Sequence, residues 1–169
     1  MGISVEAFCR AYKTNLKAKD KTFEDFIKKH ITTKYVDFIT KCVYCDKIIE
    51  SCCYIEDGDR KIVKINSTQR YLFFVMRLVD LYTDIEFGDD VVTAYDKLNE
   101  IGAINTLIAA IPESEYSEFS TILNMKMDDF RDNEYSITAL IYNIKESFSL
   151  SEEVINSALQ TLQEQTKNE

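Results

Sequence analysis

Four cysteines, Cys42-x-x-Cys45 and then Cys52-Cys53, are the residues whose type and spacing could do metal or redox chemistry. A structural zinc site takes two close thiolate pairs a dozen or more residues apart, held in turns that let four sulfurs converge. Here the pairs lie seven residues apart along an apolar run with helical spacing. A thioredoxin-like CxxC needs a preceding strand and a helix N-terminus to lower the thiol pKa, and neither is visible before Cys42. The four thiols therefore read as small hydrophobes in a core.

His30 is the single histidine, so any Ser-His-Asp or Cys-His nucleophilic site would have to use it. It follows Lys28-Lys29, which predicts an exposed last helical turn where a cation suits the helix dipole. The carboxylate pairs Asp57/Asp59, Asp89/Asp90, Asp128/Asp129 and Glu152/Glu153 fall mostly at predicted helix or turn boundaries, where acids are expected without catalysis. Glu56-Asp57-Gly58-Asp59 lacks the ligand spacing of an EF-hand. Gly2, Gly58, Gly88 and Gly102 are too dispersed for a phosphate cradle. No catalytic, cofactor-binding or metal-ligating residue is assigned, and a non-enzymatic chain without a cofactor is expected.

Charge is uneven. Residues 1–50 carry ten Lys/Arg against seven Asp/Glu, whereas residues 101–169 carry four against twelve, within a net charge of −9. The basic run Arg10, Lys13, Lys17, Lys19, Lys21, Lys28, Lys29 and Lys34 is interleaved with Tyr12, Phe23 and Phe26. It is rich in Lys over Arg and has no reading motif, so it reads as a solvated face or a site for an acidic protein surface. An acidic chain repels phosphate backbones, and nucleic acid is not expected as a partner.

The elements that must position these residues are helical. Four Gly and one Pro in 169 residues are too few for the frequent turns of a strand-rich fold. Ser4 caps a helix with Val5, Phe8, Ala11 and Tyr12 on one face, and Asn15 to Lys21 reads as a linker. Thr22-x-x-Asp25 opens a helix with Phe23, Phe26, Ile27 and Ile31. After Thr32-Thr33, a long helix places Tyr35, Phe38, Ile39, Cys42, Cys45, Ile49 and Cys52 on one buried stripe. Cys53-Tyr54-Ile55 and Lys61 to Ile65 flank an Asp-Gly turn, a hairpin signal. Asn66-Ser67-Thr68 caps a helix whose Tyr71 to Tyr82 is apolar nearly all round and reads as the central buried helix.

Asp89-Asp90 start the next helix, which Gly102 ends, and Ile104 to Ile111 is stopped by Pro112. Apolar faces then follow at Tyr116 to Phe130, Ile137 to Ile144 and, behind a Ser151 cap, Val154 to Leu162. The expected fold is thus mostly α: a compact domain of about seven helices over 1–169 with one short β-hairpin near residues 53–65. Residues 1–21 are left open as a separate helix and linker, and 163–169 as a frayed tail.

At this length folding removes roughly 70% of the unfolded surface from water, which suffices for a core without staples. No run of 18 apolar residues occurs, and the start, MGISVEAFCRAYK, lacks the apolar region of a secretory signal. Five cysteines, an odd number, point to free thiols in a reducing compartment.

The stretches INSTQRYLFFVMRLVDLYTDIEF and YDKLNEIGAINTLIAAIPESEYSEFSTILNMKMDDFRDNE resemble small proteins encoded by tailed phages and prophages of low-GC Gram-positive bacteria. The resemblance covers about two thirds of the chain and carries no catalytic motif, so it transfers no functional residue. It implies a context: a head–tail connector, neck or tail-completion protein, with portal or tail components as partners. Such a protein would sit in the host cytoplasm during assembly and then in the virion. The charge gradient fits a ring homo-oligomer whose neighbours present opposite charges. The alternative is an acidic inhibitor of a host defence protein that mimics nucleic acid.

Overall fold

The computed structural model describes residues 2–17, 21–57 and 60–135, without side chains at 56–61 and 135. Its residues fall into two compact units, 1–125 and 126–169. The helices expected over Ile137 to Ile144 and Val154 to Leu162, and the tail from Gln163, lie outside the described residues.

Seven α-helices and four short strands make up the described fold: β1 Ile3–Ser4, α1 Val5–Leu16, α2 Lys21–His30, α3 Phe38–Cys52, β2 Tyr54–Asp57, β3 Arg60–Val63, α4 Ser67–Tyr82, β4 Ile85–Glu86, α5 Val91–Glu100, α6 Ala103–Ala110 and α7 Glu113–Phe130. A π-helical turn, Arg131–Tyr135, follows in the second unit. The mostly α character and the single hairpin are those the sequence dictates. Strands β2 and β3 pair antiparallel with Tyr54 opposite Val63. A second, parallel pair joins β1 to β4, Ile3 opposite Ile85, which the sequence reading did not include.

Local capping explains most helix starts. Ser4, Asn66 and Asp90 each accept a backbone N–H three residues on and so satisfy a donor that the first helical turn leaves orphaned. Gly102, at φ +74°, stands between α5 and α6 in the left-handed region that glycine tolerates. Thr22 lies inside the first turn of α2, not at its cap, because the helix begins at Lys21.

The core of the first unit gathers Val5, Phe8 and Tyr12 of α1, Ile27 of α2, Val75, Met76 and Val79 of α4, Leu98 of α5 and Ile104 and Leu107 of α6. The first helix packs on α2 and α5, and so is part of this core and not a separate piece. It also runs to Leu16, into the stretch expected to be a linker. Helix α4 contacts α3, α5, α6 and β4 and is the central helix, as its composition predicts. Its burial is one-sided, however: Val75, Met76, Leu78, Val79 and Tyr82 are buried, whereas Phe74 is half-buried and Tyr71 exposed.

Candidate functional site

The phase of α3 departs from the sequence reading and creates the site. Its buried side is Lys41, Cys45, Ile48 and Cys52. Of the stripe expected to be buried, Cys45 and Cys52 are buried, but its first half faces outward, with Tyr35 69%, Phe38 55% and Ile39 68% exposed and Cys42 half-buried; Val43, 45% exposed, adds to that outer face. Asp37 caps the helix, accepting from the Thr40 N–H at 2.9 Å and from its hydroxyl at 2.7 Å. Those hydrogen bonds hold the Asp37 carboxyl below its usual range.

Lys41 explains the phase. It is fully buried and its Nζ lies 2.9 Å from Glu115 Oε2 and in contact with Glu118, both on α7, with the Tyr35 ring centroid 5.5 Å away. The same Glu115 oxygen accepts the Val36 N–H at 2.9 Å and the Tyr82 hydroxyl at 2.8 Å. A buried ammonium is tolerable only when paired and hydrogen-bonded. Burial by itself pushes the Lys41 pKa down most strongly, but the hydrogen bonds and charges of Glu118 and Glu115 outweigh it and leave the pKa raised. For Glu115, burial pushes upward. The Val36 N–H, the Lys41 ammonium and the Tyr82 hydroxyl overcome it, and the carboxyl stays ionised below its usual range. Tyr82 is pushed up, by burial and then by its bond to that carboxylate, and keeps its proton. The cluster is a closed ion-pair lock with a fixed protonation state, a structural fastening of α3 to α7.

His30 is placed otherwise than its lysine neighbours suggest. It is buried, with the ring edge-on to Phe8 and Phe26 at centroid distances of 5.2 and 4.8 Å and Nδ1 2.8 Å from Asp84 Oδ1. The expectation of an exposed histidine fails because Phe23, Phe26, Ile27 and His30 share one helical face, and that face meets α1. The His30–Asp84 pair ties α2 to the segment after α4, beside the Ile31–Thr83 bridge. An open cleft of about 500 Å³ is lined by Asp80, Asp84 and Glu86 among others. Each of these carboxylates has a partner: Arg77, His30 and the Gly2 N–H in turn.

Cys45 and Cys52 lie on the core side of α3, Cys53 caps its end, and Cys42 lies half-buried on the outer face. Cys45, Cys52 and Cys53 are buried, and Sγ of Cys52 lies 3.6 Å from that of Cys53. Burial and then the neighbouring Cys53 thiol push Cys52 up to about 12, which keeps it a thiol at neutral pH. Among the described residues, no three His, Cys, Asp or Glu side chains gather as a metal site. Of the candidate carboxylates, Asp90 caps α5, Asp89, Asp128 and Asp129 are exposed, and Asp59 and Glu152/Glu153 lie outside the described residues. The basic residues Arg10, Lys13, Lys17, Lys21, Lys28, Lys29 and Lys34 are exposed, but Tyr12 is buried and Phe23 and Phe26 pack on the core. These rings are thus turned away from any base they might stack on. Lys19 lies outside the described residues. No helix among the described residues is long and apolar enough to cross a membrane.

Sequence reasoning missed Lys41, Glu115 and Tyr82 as a unit. One signal was present: Glu115 shares a helical face with Phe119, Ile122 and Leu123, all buried. No family model, curated protein or solved structure matches this chain. The class that fold and site define is therefore set by geometry: a mostly α protein that fastens one helix from beneath and leaves that helix's outer face apolar.

Proposed function

We propose that this chain is a non-enzymatic virion-assembly protein of a tailed phage, a head–tail connector, neck or tail-completion component that works as a ring oligomer. The observation that carries the binding half of this reading is the outward stripe of α3. Phe38, Ile39, Cys42 and Val43 recur at helical spacing, the pattern a helix uses to pack on another surface. The resemblance of the two central stretches supplies the phage context. The charge gradient, basic in residues 1–50 and acidic after 100, supports contacts between unlike surfaces of neighbouring subunits. Portal or tail components are the natural partners, met in the host cytoplasm and retained in the virion.

The twelve acidic residues after position 100 favour a second reading, an acidic inhibitor that occupies a nucleic-acid channel of a host defence protein. A mass-spectrometric inventory of purified particles, with the mass of the purified chain in solution, separates the two. A connector is present in particles at fixed copy number and forms rings; an inhibitor is absent from them and stays a monomer or dimer.

A further inference from the structure

We propose that the groove between α4, α6 and α7 binds a linear alkyl carboxylate, a medium-chain fatty acid, with its head at Arg70 and its tail against Val75, Leu78 and Ile104. This site goes beyond the assembly reading and does not depend on it.

Helix α4 lines two adjoining cavities with one of its faces. Ser67, Arg70, Tyr71 and Phe74 border a pocket of about 160 Å³, and Tyr71, Phe74, Val75 and Leu78 border a trough of about 340 Å³. These positions advance by three residues and one residue in turn, so they share one side of the helix. From Ser67 to Leu78 that side is about 16 Å long, at 1.5 Å per residue. Tyr71 and Phe74 border both cavities, which therefore run on from one another. Across from α4, Ile104, Ile108 and Ala109 of α6 and Tyr116 of α7 close the trough, and Ser120, Leu123 and Asn124 of α7 close the pocket. All of these residues belong to the first unit. Buried Val75, Leu78 and Ile104 form the floor, and exposed Tyr71, Asn105, Ala109 and Tyr116 form the rim.

The two halves call for different chemistry. The polar side chains of the trough are those of Tyr71, Asn105 and Tyr116, all on the exposed rim. A hydrocarbon chain loses nothing on such a floor, whereas a peptide backbone would bring N–H and C=O groups that the floor cannot satisfy. Among the described residues, Arg70 is the single charged side chain that lines either cavity. It is half-buried, and its guanidinium makes no ion pair or hydrogen bond among the described residues. Its charge reaches the Cys52 thiol, but that thiol keeps its proton and cannot neutralise it. An unpaired arginine beside Ser67, Ser120 and Asn124 offers a planar donor fork of the shape a carboxylate accepts. One cation at one end of an apolar trough selects a ligand with one anionic head and one unbranched tail. A mostly apolar cavity with a few placed polar groups is also the usual make-up of a small-molecule site.

The test is isothermal titration calorimetry of the full chain with decanoate. One decanoate per chain is expected, with octanoate about tenfold weaker because a shorter tail buries less apolar surface. Decylamine should bind about tenfold more weakly than decanoate, since its ammonium meets a like charge. Arg70→Gln should weaken decanoate about tenfold and leave decanol within about twofold of the parent. Ala109→Trp, on the exposed rim, should block the trough and leave the melting curve unchanged. Equal affinity of the parent and Arg70→Gln for decanoate overturns the placement of the head, as does decylamine bound as tightly as decanoate. Undiminished binding by folded Ala109→Trp overturns the placement of the tail. A parent without saturable decanoate binding overturns the whole proposal. If Ala109→Trp then lowers the mass of an oligomeric parent, the groove belongs to a second copy of this chain.

Discussion

Replacing Lys41 by Met keeps the side-chain volume and removes one charge from the lock between α3 and α7. At 2.9 Å the attraction between Nζ and Glu115 Oε2 is ~6 kcal/mol at an effective dielectric near 20. Desolvation of two buried charges offsets most of it, so the pair adds little net stability. The variant is nonetheless expected to lose about 3–5 kcal/mol, because Glu115 is left buried with its charge uncompensated. That is a large share of a typical domain's ~5–15 kcal/mol. The pH dependence identifies the cause. In the parent, Glu115 has a depressed folded pKa, so its contribution is present above the unfolded value, near 4.5, and is lost as pH falls through the folded one. Without Lys41, burial is opposed only by the Val36 N–H and the Tyr82 hydroxyl, so the folded pKa rises from its depressed value. The penalty of Lys41→Met should then be greater at pH 8 than at pH 5, where Glu115 of the variant takes up a proton more readily. Adding Glu115→Gln should recover most of the loss, since the amide oxygen can still accept from Val36 and Tyr82. Urea unfolding of the parent, Lys41→Met and the double variant at both pH values decides. A Lys41→Met penalty below ~1 kcal/mol, or one that does not vary with pH, refutes the reasoning.

Three further outcomes follow from burial. His30→Ala should cost about 2–4 kcal/mol, through the space left beside Phe8 and Phe26 and the lost bond to Asp84; a melting curve equal to the parent's would contradict the placement of the ring. Phe74→Ala should cost about 2 kcal/mol, less than the 3–5 of a fully buried phenylalanine, because the ring is half-buried against Phe119 and Tyr116; a loss above ~4 kcal/mol in chemical denaturation would show deeper burial. In timed alkylation of the native protein at pH 8, half-buried Cys42 should label well before Cys52, and equal rates at the two positions would rule out the buried, proton-bearing state of Cys52.

Where local rules govern, the sequence is legible. Ser4, Asn66 and Asp90 each precede an apolar periodic run and cap a helix there. The Asp-Gly turn between two β-prone stretches does mark the hairpin. What the sequence hides is pairing at a distance. Lys41 lies 77 residues from Glu118, and His30 lies 54 from Asp84. A periodicity argument ranks a lysine as a solvent residue and so turns α3 by roughly a fifth of a revolution, at 100° per residue, which buries Ile39 and exposes Lys41. At His30 the flanking lysines dominate a local reading, although the spacing of Phe23, Phe26, Ile27 and His30 already places the ring on the apolar face.

The energies of the two phases of α3 show why the exposed stripe persists. Turning the helix inward by its outer face would bury Phe38 and Ile39, each worth about 1.5–3 kcal/mol when fully buried. It would also withdraw Lys41 from Glu115, about 3–5 kcal/mol, and bring Cys45, Ile48 and Cys52 into water. The ion pair and the inner apolar side together outweigh the outer stripe. Lys41 thus acts on the far side of its own helix, by fixing what that side presents. A coupling follows that no surface contact alone would give. Ile39→Asp should abolish association and leave stability unchanged. Lys41→Met, which alters no exposed atom, should weaken association as well as stability, because α3 is no longer held at one rotation. Sedimentation of both variants, at a temperature where circular dichroism shows Lys41→Met still folded, separates the cases. If folded Lys41→Met associates as tightly as the parent, the buried pair supports the fold without setting the surface, and the outer face of α3 is fixed by Cys45, Ile48 and Cys52 alone.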